Sequence, residues 1–266
     1  MVTREEKMVF RGIKDFNELN PGINRVFNHS VINKDLAEYE FDLLHQFKKH
    51  STSYLNGNLD VLDIVAYAQH FGLPTRLIDW TRNPFVALYF AINRSEGAKP
   101  VYLFYTYLNH HTLINRSYAG YRHIDLENGA EFITEYKRFV SSLNNLDVLF
   151  KQVNNRKFDL GEIGINDDSV VSKEGLVFYE CNASNPRLIA QQGLFSVPVS
   201  IINSDAKNEI LKSCDQVKIQ LSVNEKKELI TYLNNMNYNG IRLFPDIQSI
   251  CSNIIQDHMN MERQDG

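Results

Sequence analysis

Cysteine is scarce in this sequence: Cys181, Cys214 and Cys251 are the only three in 266 residues. They are odd in number and far apart, which supplies neither a disulfide framework nor a CxxC metal knuckle, so buried free thiols are expected. Long apolar runs are missing too. Nothing approaches the roughly 18 apolar residues of a bilayer-spanning helix, and Met1 to Met8 lacks the apolar stretch of a signal peptide, so the cytoplasm is the expected location. Charge of one sign is also absent. Lys and Arg number 28 against 32 Asp and Glu, a net charge of −4, which gives no global footprint for nucleic acid while leaving room for a local basic patch. There is no G-x-G-x-x-G, P-loop, G-x-S-x-G or H-E-x-x-H, so a Rossmann dehydrogenase, NTPase, α/β-hydrolase or zincin has no positive signal. No repeat, low-complexity tract or Gly/Ser linker breaks the chain, and one domain with helical additions is expected.

What is present is an ordinary globular composition, 43% hydrophobic, 23% charged and 11% aromatic, enough to bury a large core. Met8-Val9-Phe10 reads as a strand that stops at Arg11-Gly12, where glycine frees the backbone. Phe41, Leu44 and Phe47 recur at helical spacing within Glu38 to His50, as do Val61, Ile64, Val65 and Ala68. Lys48-Lys49-His50 reads as a solvated helix end. Gly72-Leu73-Pro74 ends the second helix, leaving Thr75 to Thr81 extended or looped. Asn83-Pro84 is an N-cap followed by a first-turn proline, opening a helix from Phe85 to Ile92. Val101 to Tyr107 is a buried strand by its β-branched and aromatic content, whereas Ile114 to Ala130 is rich in turn formers. Further strands are expected at Leu176 to Tyr179, Leu194 to Val199 and Val217 to Leu221. Ser222 and Glu225 have capping-box spacing before a helix ending near Asn239-Gly240, and a last helix runs from Asp246 to about Asp257, with a frayed tail from His258.

Polar side chains concentrate in three places. Gln69 to Asn83 holds His70, Arg76, Asp79, Thr81, Arg82 and the only tryptophan, Trp80, between two helices, where binding groups collect. The same segment also reads as a structural crossover, in which Asp79 pairs with Arg76, Trp80 packs in the core, Thr81 or Asn83 caps the next helix and His70 ends the previous one. Arg11-Gly12 offers a guanidinium fork suited to phosphate or carboxylate beside a residue that lets a ligand approach the backbone, or else a surface cation beside a turn. Asn185 to Phe195 contributes Arg187, Gln191, Gln192 and Gly193, as a ligand wall or as a helix-to-strand turn. His110-His111 invites a metal, but adjacent residues on a strand point to opposite faces and no partner has suitable spacing, so no metal site is expected.

Phe10-Arg11-Gly12, the Gln69 to Ala91 block that includes Gln-His-Phe-Gly-Leu-Pro-Thr-Arg-Leu-Ile-Asp-Trp-Thr, and the later Asn185-Pro186-Arg187 and Leu243-Phe244-Pro245-Asp246 resemble the FRG domain family, named for its Phe-Arg-Gly motif. The resemblance covers about residues 8 to 257 and implies a single FRG domain over 1–266. A remoter similarity to ADP-ribosyltransferases implies an α+β fold with a mixed, split β-sheet core and added helices. In that family an early-strand arginine or histidine holds NAD, a Ser/Thr-containing strand supports the nicotinamide half, and a late strand carries a glutamate. Arg11 resembles the first element and Asp79-Trp80-Thr81 the second. Gln191-Gln192-Gly193 falls near the third, where glutamine stands in place of the acid; Glu174 and Glu180 lie upstream, flanking a strand.

The similarity implies a glycosyltransferase-class enzyme that uses NAD as substrate. Arg11, His70, Asp79 and Gln191 are its candidate catalytic residues, and Arg11, Gly12, Phe71, Arg76, Trp80, Thr81 and Gln192 its candidate NAD contacts. Arg11, assisted by Arg76, is expected to grip the pyrophosphate, Trp80 or Phe71 to stack on nicotinamide, and His70, Asp79 or Gln191 to position the acceptor. FRG proteins also resemble parts of bacterial toxin and antiviral modules, which implies a nucleic-acid or protein acceptor and a neutralising antitoxin. Two rivals stand beside this reading: a nuclease built on His70, Asp79 and Arg76, and a module that binds a nucleotide or a phage protein without catalysis, which the missing glutamate favours.

Overall fold

The computed structural model of the chain describes residues 7–27, 32, 36–51, 53–54, 61–93, 95–114, 176–180, 186–197 and 206–262. Most of the turn-rich Ile114 to Ala130 stretch, Glu174, Cys181 and Asn185 therefore lie outside the described residues. Among the described residues, strands drawn from both ends of the chain join one seven-stranded sheet, ordered β4-β5-β6-β2-β1-β3-β7. These strands are β1 (Met8–Ile13), β2 (Ile78–Thr81), β3 (Val101–Tyr107), β4 (Thr112–Ile114), β5 (Val177–Tyr179), β6 (Gly193–Val197) and β7 (Asp215–Ile219). All neighbours are antiparallel except β4 and β5, so the sheet is mixed and the fold is α+β.

The join between β1 and β2 is the weak seam. β1 pairs with β3 through six residues and β2 with β6 through four, yet β1 and β2 share one register pair, Phe10 opposite Thr81. The halves β7-β3-β1 and β2-β6-β5-β4 thus meet almost at a point. This seam makes the space in which a pocket forms.

Alternation along the strands sets what each face meets. Val9 and Ile13 of β1, Ile78 and Trp80 of β2, Phe104 of β3 and Phe178 of β5 share one core cluster with Leu19 and Ile210. Leu19 comes from a 3-10 turn at Phe16–Leu19, N-capped by Asp15, and Ile210 from helix α6 (Ala206–Ser213). The opposite face, carrying Gly12, is covered by α4 (Pro84–Ile92). There a Cβ on residue 12 would fall 1.7 Å from the Ala87 carbonyl oxygen. Only glycine allows the helix backbone so near the strand. Outside α4 lie α7 (Val223–Asn235) and α8 (Gly240–Leu243), packed on it through Val86, Tyr89, Leu233 and Leu243. The remaining helices among the described residues are α1 (Gly22–Val26), α2 (Leu36–Ser51), α3 (Val61–His70), α5 (Pro186–Gln191) and α9 (Ile247–Glu262).

Local signals explain the boundaries that match expectation. Asn83 Oδ1 accepts the Phe85 N–H at 3.0 Å with Pro84 in the first turn. Ser222 and Glu225 form a reciprocal capping box on α7. Four expectations are corrected. β1 runs on to Ile13, so Arg11 and Gly12 stand inside the strand, because pairing with β3 continues past the glycine. Lys48 is buried rather than solvated, α9 continues to Glu262 past the expected end, and Cys251 is exposed while Cys214 is part-buried. Among the described residues no helix is long and apolar enough to cross a membrane.

Candidate functional site

A pocket of about 240 Å³ opens at the seam, lined by Phe10, Arg11 and Gly12 of β1, Glu18 of the 3-10 turn, Asp79, Trp80 and Thr81 of β2, Ala87 and Phe90 of α4, and Arg187 and Gln191 of α5. It is smaller than the roughly 300–1,000 Å³ of most small-molecule sites, so it can enclose one part of a dinucleotide-sized ligand. Strand alternation explains its composition: Ile78 and Trp80 turn into the core cluster, leaving Asp79 exposed.

Arg11 bridges the seam. Its Nη1 donates to the Asp79 carbonyl at 2.6 Å and its Nη2 to the Glu18 carbonyl at 2.5 Å, supplying from a side chain the link that the one-pair ladder lacks. Its buried Nε has no hydrogen-bond partner among the described residues. Burial lowers the Arg11 pKa from its ordinary value, opposed by the nearby Asp79 and Glu18 carboxylates and reinforced by Arg25. Arg187 donates Nη1 to the His70 carbonyl at 3.2 Å and lies over the Phe244 ring at 4.5 Å. Burial lowers its pKa as well, against the pull of Asp79 and Asp246. Asp79 therefore acts on two guanidiniums and Glu18 on one.

The other lining polar groups are tied into the frame. Thr81 Oγ1 donates to the Gln191 carbonyl at 2.6 Å and accepts the Asn83 N–H at 3.0 Å. Gln191 is buried and donates Nε2 to the Leu243 carbonyl at 2.9 Å. These bonds fix α5 against β2 and α8, so the wall carrying Arg187 is rigid.

Of the residues singled out in the sequence, Arg11, Gly12, Asp79, Trp80, Thr81, Arg187 and Gln191 meet at this pocket; His70, Phe71, Arg76 and Gln192 do not line it. Arg76 is 1% exposed, with its backbone N–H and Nε both on the Glu40 carboxylate. It is a buried cation paired with Glu40, out of reach of a ligand in the pocket. Trp80 borders the pocket as part of β2, but its indole is 3% exposed, donates to Ser196 Oγ at 2.7 Å and meets Phe178 edge-on. Its ring is core and cannot stack on a ligand. Phe71 is 64% exposed, against His70, and lies outside the lining. Gln192 is exposed at φ 49°, its carbonyl accepting the Arg82 N–H; it closes the α5–β6 turn. Gly12 serves the approach of α4 and also borders the pocket. His70 touches the site only through its carbonyl, and burial with Arg187 nearby lowers its pKa while Asp246 raises it.

Glu180 pairs with Arg82 and is not in the lining. His111 is buried, held between Thr106 Oγ1 and the Leu176 N–H. Among the described residues no group of three or more His, Cys, Asp or Glu is placed to hold a metal ion. Sequence reasoning missed Phe10, Glu18, Ala87 and Phe90 as lining residues. Phe10 and Phe90 stood in the stretches that carry the family resemblance but were not singled out as contacts, and Glu18 had no local signal beyond the Asp15 cap.

Residues 6–99 match the model of the FRG domain family, so the resemblance carried by Phe10-Arg11-Gly12 and the Gln69 to Ala91 block stands over that stretch. The match ends before Arg187 and Gln191, which the fold nevertheless brings to the same pocket. No curated protein and no solved structure matches the chain. The similarity to ADP-ribosyltransferases rests on the residues alone.

Proposed function

We propose that the seam pocket binds NAD and that the protein transfers ADP-ribose from it to a macromolecular acceptor. The observation that carries this reading is the convergence, at a split in a mixed sheet, of an early-strand arginine, an exposed carboxylate and a second arginine from widely separated parts of the chain. Arg11 Nε and the Arg187 guanidinium suit the pyrophosphate. Phe10 and Phe90, not Trp80 or Phe71, are the rings available as apolar walls. Thr81 and Gln191 hold the walls in place.

Asp79 takes the part left vacant by the glutamine at position 191. Transfer breaks the bond between the nicotinamide nitrogen and the anomeric carbon, and both electrons leave with neutral nicotinamide. The positive charge that develops on the sugar is stabilised by a fixed carboxylate, which glutamine cannot supply. The acceptor then forms its bond to the anomeric carbon and releases its proton to the carboxylate or to water.

A second reading, a nucleotide-binding module without catalysis, draws on one observation: both Arg11 Nη groups already hold main-chain carbonyls, as a structural residue would. Incubation with labelled NAD and separate RNA, DNA and protein pools distinguishes the two. Label transferred to one pool supports the enzyme and identifies its acceptor; saturable binding with intact NAD supports the module. Growth arrest on expression, relieved by Asp79→Asn, is the outcome expected if the activity serves as a toxin or antiviral effector with a neutralising partner.

A further inference from the structure

The charges lining the pocket balance. Arg11 and Arg187 contribute two positive groups, Glu18 and Asp79 two negative ones. A site built for a plain anion, such as a nucleoside phosphate, has no use for two carboxylates in its wall, because each repels the ligand and weakens the guanidiniums.

Arg11 stands between the two acidic residues, its Nη2 on the Glu18 carbonyl and its Nη1 on the Asp79 carbonyl, and Arg187 enters the same lining from α5. Of the two acids in the lining, Asp79 is given to the reacting carbon in the reading above, which leaves Glu18 as the second carboxylate for a ligand. Its backbone is fixed by the Arg11 bond to its carbonyl and by buried Leu19 beside it. The hydrogen bond to its carboxylate, from the Lys14 N–H to Oε2, is long at 3.4 Å. At the other end Arg187 is held by His70 and Phe244, with Asp246 outside the lining.

A ligand that fits such a wall carries a cation at one end and an anion at the other. Oxidised NAD does so, with a cationic nicotinamide ring and an anionic pyrophosphate; NADH keeps the pyrophosphate but has a neutral ring. We propose that the pocket selects the redox state of its dinucleotide, with the Glu18 carboxylate, supported by Asp79, recognising the cationic ring of NAD and Arg187 holding the phosphate end. This rests on the dinucleotide reading given above and adds to it the group that reads the ring.

The test is calorimetric titration of the intact protein with NAD, NADH and ADP-ribose, with nicotinamide release followed in parallel. Wild type is expected to bind NAD about tenfold or more tightly than NADH, a gap of roughly 1.4 kcal/mol or more, with ADP-ribose close to NADH. Glu18→Gln, near-isosteric and at the pocket edge, is expected to bring NAD and NADH within about twofold of each other by weakening NAD alone, and Asp79→Asn to narrow the gap in the same direction. Thermal melting of both variants confirms folding. Equal wild-type affinity for NAD and NADH overturns redox selection while leaving the dinucleotide reading intact. A preference that survives Glu18→Gln in full overturns the role given to Glu18. Binding of neither dinucleotide overturns the dinucleotide reading itself, and this inference with it.

Discussion

Acidification should destabilise this protein through one histidine. His111 is 8% exposed. Its Nδ1 accepts the Leu176 N–H at 3.1 Å, its Nε2 lies 2.7 Å from Thr106 Oγ1, and Thr106 in turn donates to the Ser213 carbonyl at 3.3 Å. These bonds fix the tautomer: Nδ1 must be bare to accept, so the proton sits on Nε2 and points at Thr106. Burial, with His110 adding to it, pushes the His111 pKa down from 6.5 to about 4. A proton on Nδ1 would break the Leu176 bond and place a charge beside Phe178, whose ring is 5.3 Å away. Because the folded pKa lies below the unfolded one, the unfolded chain takes up the proton first. The contribution is therefore complete above about pH 6.5 and is lost as pH falls toward 4. A gap of that size is worth about 3 kcal/mol, a large part of a typical domain's stability. Urea unfolding at intervals from pH 7.5 to 4, for wild type and His111→Gln, isolates it from the carboxylates, which titrate in both proteins. The stability difference should be flat above pH 7 and shrink by about 2–3 kcal/mol by pH 4. Parallel pH profiles for the two proteins would refute the assignment.

Gly12→Ala should cost about 3 kcal/mol or more, the upper end for overpacking, because the new methyl meets the Ala87 main-chain carbonyl rather than a movable side chain; an unchanged melting temperature would contradict this. Glu40→Gln removes the negative charge paired with the buried Arg76 guanidinium and should cost about 3–5 kcal/mol in denaturant unfolding. Ligand affinity per folded molecule should stay unchanged, since neither residue lines the pocket. Arg187→Ala should weaken NAD binding by tenfold or more in the same titration, through loss of a charge-assisted contact, while ring preference, read at Glu18, persists.

Elements whose signals are local were legible in the sequence. The Asn83-Pro84 start of α4, the Ser222/Glu225 capping box and the β-branched run of β3 each carry their cause within a few residues. What escaped depends on pairing across the chain. Arg11-Gly12 looked like a strand end because glycine usually marks one; β3 continues the strand, and the glycine answers to α4, whose sequence lies some seventy residues on. The polar stretch from Gln69 to Asn83 contributes Asp79, Trp80 and Thr81 to the pocket lining, but strand alternation divides it: Asp79 is exposed while the Trp80 ring joins the core, and Arg76 is claimed by Glu40 on a distant helix. Glu18 was invisible because a lone acid in a short turn carries no periodicity, and its place in the wall follows from Arg11 reaching across the seam.

Nicotinamide release from NAD tests the central claim most directly, measured for wild type and Asp79→Asn with the acceptor pools present. Asparagine keeps the shape of the residue and the main-chain carbonyl that holds Arg11, removing only the charge. Wild type should release nicotinamide with at least one pool, and Asp79→Asn should fall by about a hundredfold or more at an unchanged melting temperature, the scale for losing a group that stabilises transition-state charge. Failure of wild type to release nicotinamide with any pool, or release by Asp79→Asn at the wild-type rate, would contradict the account.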